Sequence, residues 1–430
     1  MSLRDIFVSL AVFISIPFIL KRPEVGVYMW AWLGYMNPHK LSWGFAYNFP
    51  FAQLVAITTF ISLIISKRKI KIPWTGETFI VVLFAVWVTI TSITSMYPEL
   101  AWQQWNKFIK ILIMTFLSLI IIEHREQIQT WLWVIALSLG FYGFKGGLFT
   151  LLTGGGYHVY GPEGTFIGGN NEIGLALIMV MPLLRYCQLM TKEIWIKRSL
   201  MIGMVLCLLA ILGTQSRGAF LGVGAMTLFL VKNSRHKWTL IIGAIIVFPI
   251  VYLFMPESWH ERMFSIVDYE HDGSAMGRIN AWKMAYNLAV FKLLGGGFEC
   301  FQEATFAMYA PDPLNIHDAH SIYFEVLGEH GFVGLILFLS LGYSAWRSCI
   351  WIMKRTKENS GLRWIYDLAA MLQVSIVGYA VSGAFLGLAY FDLYYNLIAL
   401  IIILKNVTKR ALIDKLIIEE NKELSINTSA

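Results

Sequence analysis

Residues 78–97 read TFIVVLFAVWVTITSITSMY, an unbroken run without a charge. At about 1.5 Å of rise per residue, a helix of this length covers a hydrocarbon core of roughly 30 Å. Residues 238–255 and 368–391 are charge-free in the same way. The whole chain repeats the signal: of its 430 residues 57% are hydrophobic and 14% charged, against about 45–50% and about 25% in soluble domains. The excess apolar surface has to face lipid, so the expected fold is an all-α polytopic membrane protein within a bilayer.

Hydrophobic runs predict spans near 5–20, 24–36, 51–66, 77–95, 108–122, 128–152, 172–190, 199–213, 218–232, 238–255, 322–352, 365–389 and 391–404. The second is short and either re-enters the membrane or completes a hairpin with the first, giving twelve spans or thirteen. Lys21-Arg22-Pro23 follows the first run where a cleaved leader would carry small residues, so that run reads as a retained helix. The organisation expected is N-terminal transmembrane helices over 1–255, a long loop with active-site residues over 256–320, C-terminal transmembrane helices over 321–404 and a solvated tail over 405–430. Apolar residues at helical spacing from Arg278 to Leu293 place a short helix inside the long loop.

Lys and Arg gather at Lys67 to Lys71, Lys192 to Arg198, Lys232 to Lys237, Lys354 to Lys357 and Lys405 to Arg410, all on one side of the predicted topology. Cytoplasmic loops carry such an excess. The other side receives 38–50, 97–106, 154–171 and 256–319, where most residues capable of chemistry lie. The net charge of +7 is spread between apolar runs and not over one face, which argues against nucleic acid as a partner. Cys187, Cys207, Cys300 and Cys349 show neither zinc-ligand nor disulfide-framework spacing.

Candidate residues concentrate at the outer boundary. Arg217, in Gly213-Thr-Gln-Ser-Arg217-Gly-Ala, is either a snorkelling boundary residue or a phosphate ligand; its small neighbours and planar fork favour phosphate. Arg262 and Arg278 either pair with acids such as Glu261 and Asp272 or meet a diphosphate leaving group. In His317-Asp-Ala-His320-Ser-Ile-Tyr-Phe-Glu325 a loop passes into a hydrophobic helix that Asp318 or Ser321 would cap. A first-turn histidine there has its cationic form disfavoured by the helix dipole and can accept a proton, so His320 reads either as the candidate general base or as a structural histidine. A metal held by His317 and His320 with Asp318 or Glu325 lacks further ligands at recognisable spacing, so no metal or cofactor is expected. Gly328, Gly331 and Gly334 read as close-packing positions. Asn170 or Asn171 would cap the following helix. Lys145, an ammonium in an apolar run, is functional or snorkels outward. Lys107 and Lys110 read as anion contacts or snorkelling residues, and Asp392 either orients a histidine or arginine or caps the last helix.

With these residues in place the chain resembles the O-antigen ligase superfamily, which includes O-antigen polymerases and protein O-oligosaccharyltransferases. The matching pattern is Ser-Arg-Gly at Arg217, Arg278 upstream of Trp282 and Gly295 to Gly297, and His320-Ser-x-Tyr-Phe before Glu-x-Gly-x-x-Gly. Trp30-Ala-Trp-Leu-Gly-Tyr-Met-Asn-Pro-His39 and Phe141-Tyr-Gly-Phe-Lys145-Gly-Gly are similar to putative O-glycosylation ligases associated with exosortases in Gram-negative bacteria. The resemblance implies transfer of a glycan from undecaprenyl diphosphate to an acceptor hydroxyl on protein, lipid or glycan. The reaction would be inverting and metal-independent, at the periplasmic face of the inner membrane. Arg217 and Arg278 would hold the diphosphate, and His320 would activate the acceptor. Relatives often carry an Arg shortly before the Gly-x-Phe-x-x-x-Asn stretch, whereas His158-Val-Tyr-Gly-Pro-Glu163 stands here; His158, Lys145 or Arg262 would supply that contact, or it is missing. A lipid-linked glycan polymerase uses the same donor. A transporter would be expected to place ionisable residues in mid-span or to show repeated halves with broken helices; apart from Lys145 and Arg185, the candidate charges here gather at one boundary.

Overall fold

A computed structural model describes residues 2–66, 71–233, 237–264 and 273–427. Among them no strand occurs, and sixteen α-helices follow one another. They are α1 (Leu3–Lys21), α2 (Pro23–Tyr35), α3 (Phe51–Ile65), α4 (Gly76–Ile93), α5 (Pro98–Ile121), α6 (Arg125–Leu152), α7 (Asn170–Met190) and α8 (Ile194–Gly213), then α9 (Arg217–Asn233), α10 (Lys237–Phe254), α11 (Glu257–Phe264), α12 (Gly273–Phe291), α13 (Glu303–Tyr309), α14 (Ile322–Thr356), α15 (Arg363–Ser382) and α16 (Asp392–Asn427). Local chemistry sets several starts. Pro23 and Pro98 open α2 and α5, where a missing N–H costs nothing, and Thr75 caps α4 by accepting from the Thr78 N–H at 3.3 Å.

Among the described residues eight helices, α1, α4 to α8, α14 and α15, are long and apolar enough to cross a membrane. The outer helices show lipid their apolar side: Phe7, Phe13, Ile14 and Phe18 on α1 are exposed. From Leu393 to Leu404, by contrast, every residue of α16 is buried, so this helix forms the middle of the bundle together with α7. At 13 residues α2 spans only about 20 Å, and it packs in a hairpin between α1 and α3.

Each predicted span falls on a helix, and the helix expected after Arg278 is α12. Three boundaries differ, one of them that of the span expected to reach 389, whose helix α15 ends at Ser382. The segment 97–106, expected as a loop, is the first part of α5, because Pro98 starts the helix there and Ala101 and Phe108 point into the core. Helix α16 also runs on past 404 to Asn427, into the stretch expected as a solvated tail. The basic segment 67–70, residues 234–236 and Asp272, named above as a partner for Arg278, lie outside the described residues.

Contacts sort the connections into two faces. On one, Arg4 bonds the Leu41 carbonyl at 2.7 Å, the Val159 N–H the Gly213 carbonyl at 2.9 Å, and the Met96 N–H the Gly296 carbonyl at 2.8 Å. On the opposite face the Arg125 guanidinium stacks on Trp364, and Gln188 bonds the Lys197 carbonyl. Lys71 and Arg410 line one small cavity with Glu123, two residues before Arg125.

One break positions the candidate site. Gly331, inside α14, has φ 65° and ψ −171°, a conformation open to glycine. A Cβ there would lie 2.1 Å from the Leu293 carbonyl oxygen. Breaking the ladder orphans carbonyls, and three donors meet them: Gly296 N–H at Gly328 (2.9 Å), Gly297 N–H at Glu329 (2.8 Å) and Trp87 Nε1 at His330 (2.9 Å). The Gly295 to Gly297 run and the spaced glycines of α14 are thus two halves of one joint, which aims the segment 322–330 separately from the rest of the helix.

Candidate active site

The turn between α8 and α9 presents Arg217. Gln215 in this turn has φ 52°, and the surrounding segments hold it there. Asn170 donates to the Thr214 carbonyl at 2.9 Å, Trp259 to Leu212 at 3.2 Å and Arg262 Nε to Gln215 at 2.9 Å, while the Gln215 amide donates to Gly155 at 3.0 Å. Ser216 caps α9 by accepting from the Ala219 N–H at 3.2 Å. Arg217 therefore sits at a helix N-terminus, where the backbone favours anions. Its own Nε donates to the Arg262 carbonyl at 3.1 Å, so these two arginines are neighbours.

Across from this turn, α12 supplies Arg278 and supports the histidine loop. Asn280 donates to the carbonyls of Asp312 and Asn315 at 2.8 and 2.9 Å, and Trp282 Nε1 donates to Ala319 at 2.7 Å. The His317 ring lies on Gly277, where a Cβ would come within 2.3 Å of it. Arg217, Arg278, Trp282, Leu221, Ile279 and Phe385 line one cavity of about 250 Å³. His320 follows Ala319 with φ 41°, a strained conformation for a side chain of this kind. Burial and then the Arg278 charge hold its imidazole below the usual histidine range, against the pull of Asp318 and with His317 adding to the lowering. A neutral imidazole is able to accept a proton.

The remaining candidates divide. His158 and Lys145 line a separate cavity of about 240 Å³ with Tyr142, Phe149 and Tyr160. The charge of Arg262 reaches His158, whose pKa burial and that charge lower. Lys107 acts on Glu299, where burial and Asp318 outweigh it and hold the carboxyl above its ordinary range. Lys110 is exposed about a turn further along α5. Glu325 accepts from the Ala389 N–H at 3.0 Å and fastens the 383–391 connection onto α14. Ser321 stands at the N-cap of α14 without a capping bond. Gly169, not Asn170 or Asn171, holds the N-cap of α7; Asn170 is drawn to the Thr214 carbonyl instead, and Asn171 lies half-buried in the first turn. Asp392 opens α16 against Gly34.

Sequence reasoning passed over Gln215, Glu299 and the Glu329-His330 pair. Glu329 accepts from the Glu299 N–H at 2.8 Å and from the Tyr390 hydroxyl, and His330 Nδ1 meets Thr91 Oγ1 at 2.7 Å. The available signal was two ionisable side chains together in an apolar helix. Among the described residues no three His, Cys, Asp or Glu are gathered as a metal would require, and the four cysteines are buried free thiols.

Fold and site together define a multi-pass membrane protein with an arginine-lined cavity beside a loop histidine. Residues 202–339 match the O-antigen ligase family, and residues 3–192 match a family of unknown function, DUF5935. No curated protein matches the chain. The ligase match takes in Arg217, Arg262, Arg278 and His320, supports membership of the O-antigen ligase superfamily and implies a glycosyltransferase-like enzyme.

Proposed function

We propose that this protein is a membrane O-glycan ligase that moves a glycan from undecaprenyl diphosphate to an acceptor hydroxyl. The observation that carries the reading is the pairing of Arg217 from α9 with Arg278 from α12 in one cavity, beside a histidine kept neutral partly by that same Arg278. Neutral His320 takes the acceptor hydroxyl's proton as its oxygen attacks the anomeric carbon. The bond from that carbon to the diphosphate oxygen breaks with inversion, and the electron pair leaves on the diphosphate. Its growing charge is met by Arg217, Arg278 and the α9 N-terminus, fixed before the reaction begins. Arg262, fastened to the Gln215 turn, adds a third cation behind Arg217, and the arginines replace a metal in this scheme.

The basic connections of the opposite face support placing that face in the cytoplasm, and so the cavity at the periplasmic surface of a bacterial inner membrane. On this reading α2 is a thirteenth, short crossing. The Phe141 to Gly147 motif supports kinship with the exosortase-associated ligases. Transfer of labelled glycan from undecaprenyl diphosphate by purified wild type and His320→Ala, with EDTA present and a panel of hydroxyl acceptors, tests the proposal. Activity in the wild type alone is the expected result; equal activity in both removes His320, and no transfer to any acceptor overturns the reading. Activity confined to a lipid-linked glycan as acceptor would make the enzyme a polymerase.

A further inference from the structure

A second cavity of about 350 Å³ adjoins the arginine cavity, and the two share Ile279 and Trp282 as walls. Its lining adds Lys283, Tyr286, Asn287 and Phe324. Phe324 stacks on Trp282 with ring centroids 4.9 Å apart and planes 6° from parallel, while the Ala319 carbonyl fixes the indole edge. Tyr286 meets Phe332 edge-on at 6.0 Å. The result is an immobilised aromatic wall with an amide and an ammonium beside it, the combination of apolar body and few polar groups that orients a small ligand.

We propose that this cavity is a pyranose-binding subsite. A pyranose ring has a C–H face that lies on an aromatic plane and a hydroxyl rim that bonds an amide or ammonium. The inference rests on the ligase reading, and the order of groups supports it. In a lipid-linked glycan the diphosphate stands between lipid and sugar. Here the arginine cavity has the apolar side chains of Leu221, from α9, and Phe385, just after α15, among its own walls and adjoins the aromatic cavity, carried by α12 and the loop containing Pro311. The sugar accommodated belongs either to the donor or to an acceptor glycan, with the same chemistry.

The test uses the full chain in nanodiscs, with saturation-transfer NMR on lactose, maltose, chitobiose and glycans released by mild acid from the lipids of the host cells, and with farnesyl diphosphate as the sugar-free probe. Saturation of saccharide ring protons is expected in the wild type and in Tyr286→Phe, weakened at least about 5-fold in Tyr286→Ala, and unchanged in Arg217→Ala. Farnesyl diphosphate should show the reverse, weakened by Arg217→Ala and indifferent to Tyr286→Ala, which also establishes that both variants are folded. In transfer assays, a raised KM for the lipid-linked donor in Tyr286→Ala assigns the sugar to the donor, and a raised acceptor KM assigns it to the acceptor. Absence of saccharide binding in the wild type, indifference of binding to Tyr286→Ala, or an equal loss of farnesyl diphosphate overturns the subsite. Loss of transfer in Arg217→Ala alongside any of these leaves the ligase reading standing.

Discussion

The indole of Trp282 donates to the carbonyl of Ala319 across 2.7 Å. Trp282, one turn along α12 from Arg278, is thereby tied to the backbone immediately before His320. In Trp282→Phe the ring remains and the bond is lost. A net hydrogen bond is worth about 1 kcal/mol, so kcat should fall roughly 5-fold or more, measured as glycan transfer at saturating donor, while thermal unfolding shifts little.

On the proposed mechanism the acid limb of the pH profile reports His320. Its pKa lies below 6.5, so the neutral base persists above that lowered value and is lost as pH falls through it. Removing the Arg278 charge in Arg278→Gln should move the acid limb of the normalised profile to higher pH, and Asp318→Asn should move it lower. Profiles that coincide would show that the limb belongs to another group.

Gly331 tolerates no side chain. With a positive φ and the Leu293 oxygen 2.1 Å from a Cβ position, Gly331→Ala should destabilise the protein by about 2–3 kcal/mol or more. The loss would appear as a lowered melting temperature in detergent. An unchanged melting temperature would mean that the joint between α14 and the 295–297 run is not a fixed one.

Asn170 holds the backbone of Thr214, in the turn that leads into Arg217. Asn170→Leu should raise KM for the donor about 5-fold, the value of one bond of about 1 kcal/mol, with little change in unfolding. A fall in kcat alone would assign Asn170 to the chemical step instead.

Far from this site, Glu77 is buried and bonds Lys405 Nζ at 3.0 Å, with Ser348 and Ser344 completing its shell. Leaving either charge alone in the bundle costs about 3–5 kcal/mol. Glu77→Leu and Lys405→Met should each lower the melting temperature sharply, and the double variant should recover much of the loss. Additive losses would show the two charges to be independent.

The sequence by itself determined the helices, because lipid demands long charge-free runs and these are written continuously in the chain. It also singled out Arg217, Arg278 and His320, since an ionisable residue at the edge of an apolar run is costly enough to stand out one residue at a time. Only the tertiary structure decided which of them meet. Arg217 and Arg278 share a cavity because α9 and α12 converge, whereas Lys145 and His158 fall in a separate one. Asn170, legible as a helix cap, was taken by the Thr214 carbonyl. The breaks were hidden for a related reason: the orphaned carbonyls of Gly328, Glu329 and His330 find donors at Gly296, Gly297 and Trp87. Those partners are remote in sequence, and a hydrogen bond between remote residues leaves no periodicity to read.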